Sequence, residues 1–447
     1  MAPPSPPGWR RSIIRSDRSN SDGPPGLQPR IWNADLLYVA VPKIVNGAAS
    51  LFISLWLARS MTLADYGLAS FCLSYLLAID ALLGAAIDLG IARQTTVCKL
   101  GPPIHRLEKA GIVWKGCIGA AVLLALTVTG EFIGERFFSN RNADATLQLW
   151  AAAATVMLLI RSLQFYFQSR HMFRAYGLTD FSHTVLRLTV LGAAVSAQGA
   201  TPSLVMLCYL GAGGLILTLA ILLLRRGAAW SASRIRPRDL AQVWTEAKPA
   251  MASSGLGIVI TRMDLFFLAA LTGPEPLAIY SAALTVAMIP EIVASYVSPV
   301  FLPRIQPACA DGTIGHTLQR INHAVYWVCG AGLIAGVFLS PVLLSTVAGQ
   351  RYAPSGALLP VLLAGTVSIS TIFPVTLNFL LLRNPRIVFL IDAVALPVLA
   401  AVYWFAIPAY GIAGAAWAMA AYRFGRATIL QFMAHRIAGQ LRLAQAA

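Results

Sequence analysis

The stretch LARSMTLADYGLAS at 57–70 returns 211 positions later as LAALTGPEPLAIYS at 268–281. Leu-Ala opens each segment, Ser closes each, and in both a turn separates two apolar runs. The same offset lays Asp80 on Glu291. One residue more lays Arg174 on Arg386 and Asp180 on Asp392. Any one such match arises by chance in apolar sequence, but the shared offset indicates that the second half of the chain repeats the first.

Working outward from that turn, the rest of the chain has the same character. Of its 447 residues 57% are apolar and only 12% are Asp, Glu, Lys or Arg, with a mean hydropathy of +0.69. Soluble domains carry about 25% charged residues, so a water-soluble fold is excluded and a polytopic membrane protein is expected. A helix needs roughly 20 apolar residues to cross the hydrocarbon. Twelve such stretches can be marked, at 36–58, 66–91, 111–132, 145–167, 179–197, 202–224, 249–271, 276–300, 321–347, 356–381, 387–407 and 410–433. This predicts an all-α membrane protein of about twelve helices in two six-helix bundles, 34–224 and 249–433. A basic cytoplasmic linker at 225–248 joins them, a disordered Pro-, Ser- and Arg-rich cytoplasmic tail is expected at 1–33, and a short cytoplasmic tail at 434–447 follows. The opening residues have no apolar segment of the signal-peptide kind, so no cleavable signal is expected. An even helix count per repeat gives both halves the same orientation, related by an axis along the membrane normal, with a substrate site between them.

The formal charge of +16 is a topology signal before it is a partner signal. Twenty-three of the Lys and Arg residues fall in the two tails and alternate loops, against four in the opposite loops (Arg59, Arg136, Arg141 and Arg351). Both termini are therefore expected on the cytoplasmic side, and no nucleic-acid partner is inferred. The six cysteines are scattered without CxxC spacing, so neither a disulfide framework nor a metal site is read. No cofactor motif is present in the loops, and none of them carries a paired-acid, HEXXH, GXSXG or P-loop arrangement. The outer connections are about a dozen residues or fewer, too short for a catalytic domain. A transporter is expected rather than an enzyme.

Charged residues inside the spans carry the functional reading, because each costs about 2.5–3.5 kcal/mol at mid-membrane and must face protein, water or a ligand. Lys115, Arg423 and Arg426 are expected to snorkel to the interface. Arg262 is too deep for that and needs a counter-ion or water; it is assigned to the central cavity as a substrate-binding group, with a structural ion pair to Asp264, Asp80 or Glu291 as the alternative. Asp264, two residues on, points to another face of the same helix and seeks its partner elsewhere. Lys43, Asn46 and Ser50 form a polar stripe on the first span and are assigned to a central cavity. Arg161 with Gln164 and Gln168, and Arg187 with Asp180 and His183, form two further stripes. These suit cytoplasmic interface packing, while Arg161 and Arg187 are kept as cavity candidates. Asp80, Asp88, Asp264 and Glu291 are candidates for gating or ion coupling, and Pro290 puts Glu291 at an expected kink.

The first two spans, with LARSMTLADYGLAS and DALLGAAIDLGIARQ, resemble bacterial polysaccharide biosynthesis proteins of the oligosaccharide flippase type. TRMDLFFLAALTGPEPLAIYSAA at 261–283 and the FRAYGLTD joint at 173–180 carry the same resemblance. It implies membership of the multidrug, oligosaccharidyl-lipid and polysaccharide exporter superfamily. The fold would be a V of two bundles in the bacterial inner membrane that moves a polyprenyl-pyrophosphate-linked glycan outward by alternating access. Coupling to a proton or sodium gradient, and glycosyltransferase and glycan polymerase partners, would follow from the resemblance. This chain departs from relatives with fourteen spans, and TLADYG stands where a glycine-proline turn is common. A cation-coupled multidrug antiporter is the nearest alternative, but it would want an acidic cavity. A membrane-embedded polymerase or glycosyltransferase is the more distant one.

Overall fold

The computed structural model describes residues 29–84, 86–88, 90–91, 102–138, 143–170, 172–225, 234–294, 314–372, 376–377, 379–380 and 385–446. Residues 1–28, most of the expected N-terminal tail, lie outside this set. The described residues form eleven α-helices: α1 Pro29–Ser60, α2 Leu63–Ile79, α3 Pro102–Phe138, α4 Ala143–Ser169, α5 Phe173–Gln198, α6 Pro202–Arg225, α7 Pro237–Thr272, α8 Pro274–Ala287, α9 Ile314–Val347, α10 Ser355–Ile372 and α11 Pro385–Ala446. The fold is the expected all-α polytopic one.

Among the described residues eight helices are long and apolar enough to cross a membrane. The last of these, Arg386–Gln440, spans 55 residues and holds the eleventh and twelfth expected spans on either side of Gly411. Gly411 has φ 59°, which turns the chain where a side chain would be strained. Three expected spans, the second, the fifth and the ninth, are not among the eight, and for two of them the reason is physical. The second loses regular α geometry at a π-helical turn, Asp80–Gly84, and the fifth carries Asp180, His183 and Arg187 on its buried face.

Within the first half α1 packs on α5, α3 on α4, and α4 and α5 on α6; within the second, α9 and α11 pack on α10, and α7 on α11. The halves meet through α2 against α8 and α3 against α7. The largest apolar core crosses that seam, joining Ile53, Leu57, Tyr66 and Leu76 to Leu268, Leu277, Tyr280 and Leu359. At the end marked by Met61 and Gly273, α2 and α8 come so close that a Cβ on Gly67 would sit 2.1 Å from the carbonyl oxygen of Pro274. The absence of a side chain at 67 is what permits this approach. Arg351 donates to the Met61 carbonyl at 3.1 Å, and Tyr66 meets Tyr352 edge to face, at the same end.

The opposite end is tied by α7. Its first turns, the latter part of the basic connection, are helical because Pro237 opens the helix and Asp239 accepts the Arg236 amide at 2.9 Å. Trp244 there stacks on Trp114 with centroids 4.8 Å apart. Trp114 also donates to the Leu240 carbonyl at 2.9 Å.

Candidate functional site

A cavity of about 360 Å³ opens between the halves, lined by α1, α2, α4, α5 and α6 from the first and by α7 and α8 from the second. Among the described residues its only charged lining groups are Arg187 and Arg262, and no carboxylate lines it. Both arginines lie at mid-depth. Arg262 is ten residues and Arg187 eleven from the helix end on the Met61 side, which is about 15 Å along the axis at 1.5 Å per residue.

Arg187 is buried, and its position is set by α1. Its Nη2 donates to Asn46 Oδ1 and to Ser50 Oγ, both at 3.1 Å. Its guanidinium carbon stands 5.0 Å from the centroid of the Tyr209 ring, and its Nε has no partner among the described residues. Arg262 is half-buried. Among the described residues its guanidinium contacts only the sulfur of Met288, at 3.6 Å, and no carboxylate lies within ion-pair distance. The candidate pairings with Asp264, Asp80 and Glu291 are therefore not made. Tyr75 donates to the Arg262 carbonyl at 2.9 Å, which fixes the backbone rather than the cation.

Asp264 points into the core, fully buried, and accepts the Tyr280 hydroxyl at 2.6 Å. Its partner is on another helix, as expected, but is a phenol and not a cation. The remaining candidates gather on the side of the cavity away from the Met61 end. Lys43 lies 5.9 Å from the centroid of the Tyr176 ring and is not among the cavity-lining residues. Arg161 is also outside the lining; it faces Asp80 at 3.8 Å and donates to Gln164 at 3.3 Å. Gln164 in turn donates to Asp180 at 3.1 Å, so this stripe is interface packing. The Arg187 stripe, by contrast, reaches the cavity.

Three cations expected at the interface are inside the protein. Lys115 is fully buried and bonds Asp88 at 2.7 Å. Arg423 is 3% exposed, donates to Thr366 at 2.6 Å and faces Glu291 at 3.3 Å. Arg426 grips Asp392 with bonds of 2.7 and 3.0 Å. They stay inside because each has a carboxylate beside it, on another helix for Lys115 and Arg423 and across the Gly411 break of α11 for Arg426, which removes the reason to snorkel. Glu291 follows a break in α8 at Met288, the kink expected from Pro290.

Sequence reasoning missed the hydroxyls of the cavity: Ser54, Ser70, Ser74, Ser281 and Thr285. Their signal was present, since Ser50 and Ser54, Ser70 and Ser74, and Ser281 and Thr285 are each spaced i, i+4, the spacing of one helix face.

Comparison with known proteins gives the following. The profile described as polysaccharide biosynthesis protein matches residues 34–307. The EPS I polysaccharide export inner membrane protein EpsE of Ralstonia nicotianae is 24% identical over 323 residues, covering 70% of this chain and 72% of that one. Among solved structures, the lipid II flippase MurJ in an inward closed conformation superposes with a TM-score of 0.73 at 12% identity, covering 91% of this chain and 90% of that one. An inward-facing multidrug resistance MATE family transporter of the MOP superfamily gives 0.70 at 11% identity, with 92% and 98% covered. An outward-facing one gives 0.60 at 11%, with 91% and 96% covered. At these identities the likeness is one of fold.

Proposed function

This chain belongs to the polysaccharide biosynthesis protein family, and from that premise we propose that it carries a polyprenyl-diphosphate-linked saccharide across the bacterial inner membrane by alternating access. The observation that carries the proposal is the pair Arg187 and Arg262, one from each half, in a mid-depth chamber whose lining, among the described residues, holds no carboxylate. A diphosphate moved through hydrocarbon needs fixed positive groups where water is scarce, and guanidinium forks match phosphate oxygens. Because one arginine belongs to each half, rocking of the halves separates them. That changes the affinity of the site between its two states, which a carrier requires. The name of EpsE, a polysaccharide export inner membrane protein, supports the same cargo class and compartment.

The two halves are the units that move, with both termini on the cytoplasmic side, where most of the loop arginines and lysines fall. Residues of the basic connection from Pro237 onward act as a helical strut between the halves. The packed Met61–Gly273 end and the higher TM-scores with inward-type structures support a state closed toward the outside. An organic cation suits this chamber poorly, since two guanidinium groups without a counter-charge repel it; the drug-antiporter alternative is disfavoured on that ground. The carboxylates Asp80, Asp88, Asp264 and Glu291 lie outside the lining, so an ion-gradient role for any of them would act through the helices and not on the cargo. Glycosyltransferase and polymerase partners would supply and consume the lipid-linked glycan on either face.

The test is deletion of the gene, followed by assay of lipid-linked glycan on the inner leaflet. Retention there, relieved by the wild-type chain but not by Arg262→Ala inserted at the same level, is the expected result. Normal surface glycan in the Arg262→Ala strain overturns the proposal.

A further inference from the structure

The cavity is not uniform, and its asymmetry assigns its parts. The arginines occupy one level. Ser54, Ser70 and Ser281 lie six or seven residues from the Met61-side ends of their helices, about 10 Å along the axis, and therefore outward of the arginines. The two levels differ in chemistry as well as in depth. Ser50 and Asn46 already accept from Arg187, so this level presents donors. On the outward level Ser70 donates to the Gly67 carbonyl at 3.0 Å, and one turn further in, at the edge of the arginine level, Thr285 donates to the Ser281 carbonyl at 2.8 Å. With their protons committed to their own helices, both hydroxyls offer the cavity lone pairs only. Ser54 lies 2.9 Å from the Tyr66 hydroxyl and 3.3 Å from that of Thr285. The Ser281 hydroxyl is buried, lines the cavity and has no hydrogen-bond partner among the described residues. A buried hydroxyl without a partner carries a desolvation cost that a bound ligand removes.

A phosphate cannot satisfy acceptors, because it offers none of its own protons at neutral pH. A hydroxyl-rich ring can both donate to Ser70 and Thr285 and pair with Ser281. We infer that the outward hydroxyls Ser54, Ser70 and Ser281, with Ser74 and Thr285 one turn further in at the edge of the arginine level, form a saccharide subsite that reads the sugar joined directly to the diphosphate. The inference rests on the diphosphate reading of the arginines. The volume restricts it further: about 360 Å³ lies near the bottom of the roughly 300–1,000 Å³ range of small-ligand pockets. It holds a diphosphate with its first sugar and leaves the rest of a long glycan outside. Selectivity among cargoes is then set by the first residue of the glycan and not by its length.

The experiment is calorimetric titration of the full-length protein in lipid nanodiscs with four classes of probe. These are farnesyl diphosphate, farnesyl-diphosphate-linked single hexoses of differing hydroxyl configuration, the same compounds with all sugar hydroxyls methylated, and linear trisaccharide versions. At least one hexose is expected to bind about fivefold or more tighter than bare farnesyl diphosphate, the equivalent of one net hydrogen bond. Methylation should erase the gain, and the trisaccharide should add less than about twofold. In Ser281→Val the advantage of the hexose probe over the bare one should vanish. Equal binding of every hexose and the bare probe overturns the saccharide subsite while leaving the diphosphate site standing. So does a gain that survives methylation, or one that grows with each added sugar. Failure of the wild-type protein to bind farnesyl diphosphate at all removes the diphosphate reading, and the subsite with it. If Ser281→Val does not fold, the wild-type comparison of hexose with methylated hexose decides the matter alone.

Discussion

Asp80 and Glu291, 211 positions apart, both stand where a helix loses its regular hydrogen bonding, and each faces an arginine on another helix. Asp80 opens the π-helical turn Asp80–Gly84 and lies 3.8 Å from Arg161. Glu291 follows the break at Met288 and lies 3.3 Å from Arg423. The two pairs are not equivalent in energy. Arg161 and Asp80 are 38% and 24% exposed, so their pair is worth under about 1 kcal/mol. Arg423 is 4% exposed at its side chain, and removing its carboxylate strands a buried cation.

Glu291→Ala should therefore lower the thermal stability of the purified protein more than Asp80→Ala does, by about 1–3 kcal/mol against under 1 kcal/mol. A double-mutant cycle with Arg423→Met measures the coupling. Equal losses for the two alanine variants would contradict the assignment.

Lys115 and Asp88 make the sharper case, being a 2.7 Å pair whose lysine is wholly buried. Lys115→Ala should cost about 3–5 kcal/mol, because it leaves an uncompensated carboxylate inside the helix packing. The double variant Lys115→Met with Asp88→Leu should recover most of the folded yield. Fluorescence-detected size exclusion in detergent reads both. A well-folded Lys115→Ala protein would show that the lysine had an alternative route to the interface.

Gly67 holds the halves together at the Met61–Gly273 end by having no side chain 2.1 Å from the Pro274 oxygen. Gly67→Ala should force α2 and α8 apart and open that end. A Ser281→Cys reporter, labelled in whole cells with a membrane-impermeant maleimide, should react several times faster in the Gly67→Ala background. Unchanged labelling would mean that the closure resides elsewhere.

Arg187 is held through one nitrogen, Nη2, which donates to both Asn46 and Ser50 and leaves the rest of the planar guanidinium for an anion. Arg187→Lys keeps the charge but loses that planar second donor, so transport of the lipid-linked glycan should fall about tenfold or more at equal expression. Lys43→Ala, which removes a cation outside the lining, should reduce it far less. Surface glycan quantified by antibody binding makes the comparison, and equal defects would return Lys43 to the cavity.

Much of this was legible along the chain. The apolar stretches located the helices, the 211-residue offset paired Asp80 with Glu291, and depth from the helix ends marked Arg262 as too deep to snorkel. What failed was the direction of individual side chains. Lys43 stands one turn from Asn46, and the two were read as one stripe. A helical side chain leans toward the N-terminus of its own helix, and the long lysine stem carries its ammonium toward Tyr176 and away from the cavity. Lys115 and Arg423 were expected at the interface because their partners, Asp88 and Glu291, lie on other helices and no spacing in the sequence joins them.

Sequence by itself determined the all-helical membrane fold and how far each charge stands from the ends of its helix, since hydrocarbon thickness and the rise per residue act on one helix at a time. Only the tertiary structure decided which charges meet a carboxylate and which are left facing a void. That depends on how far each helix is rotated against its neighbours, and close packing at positions such as Gly67 sets the rotation.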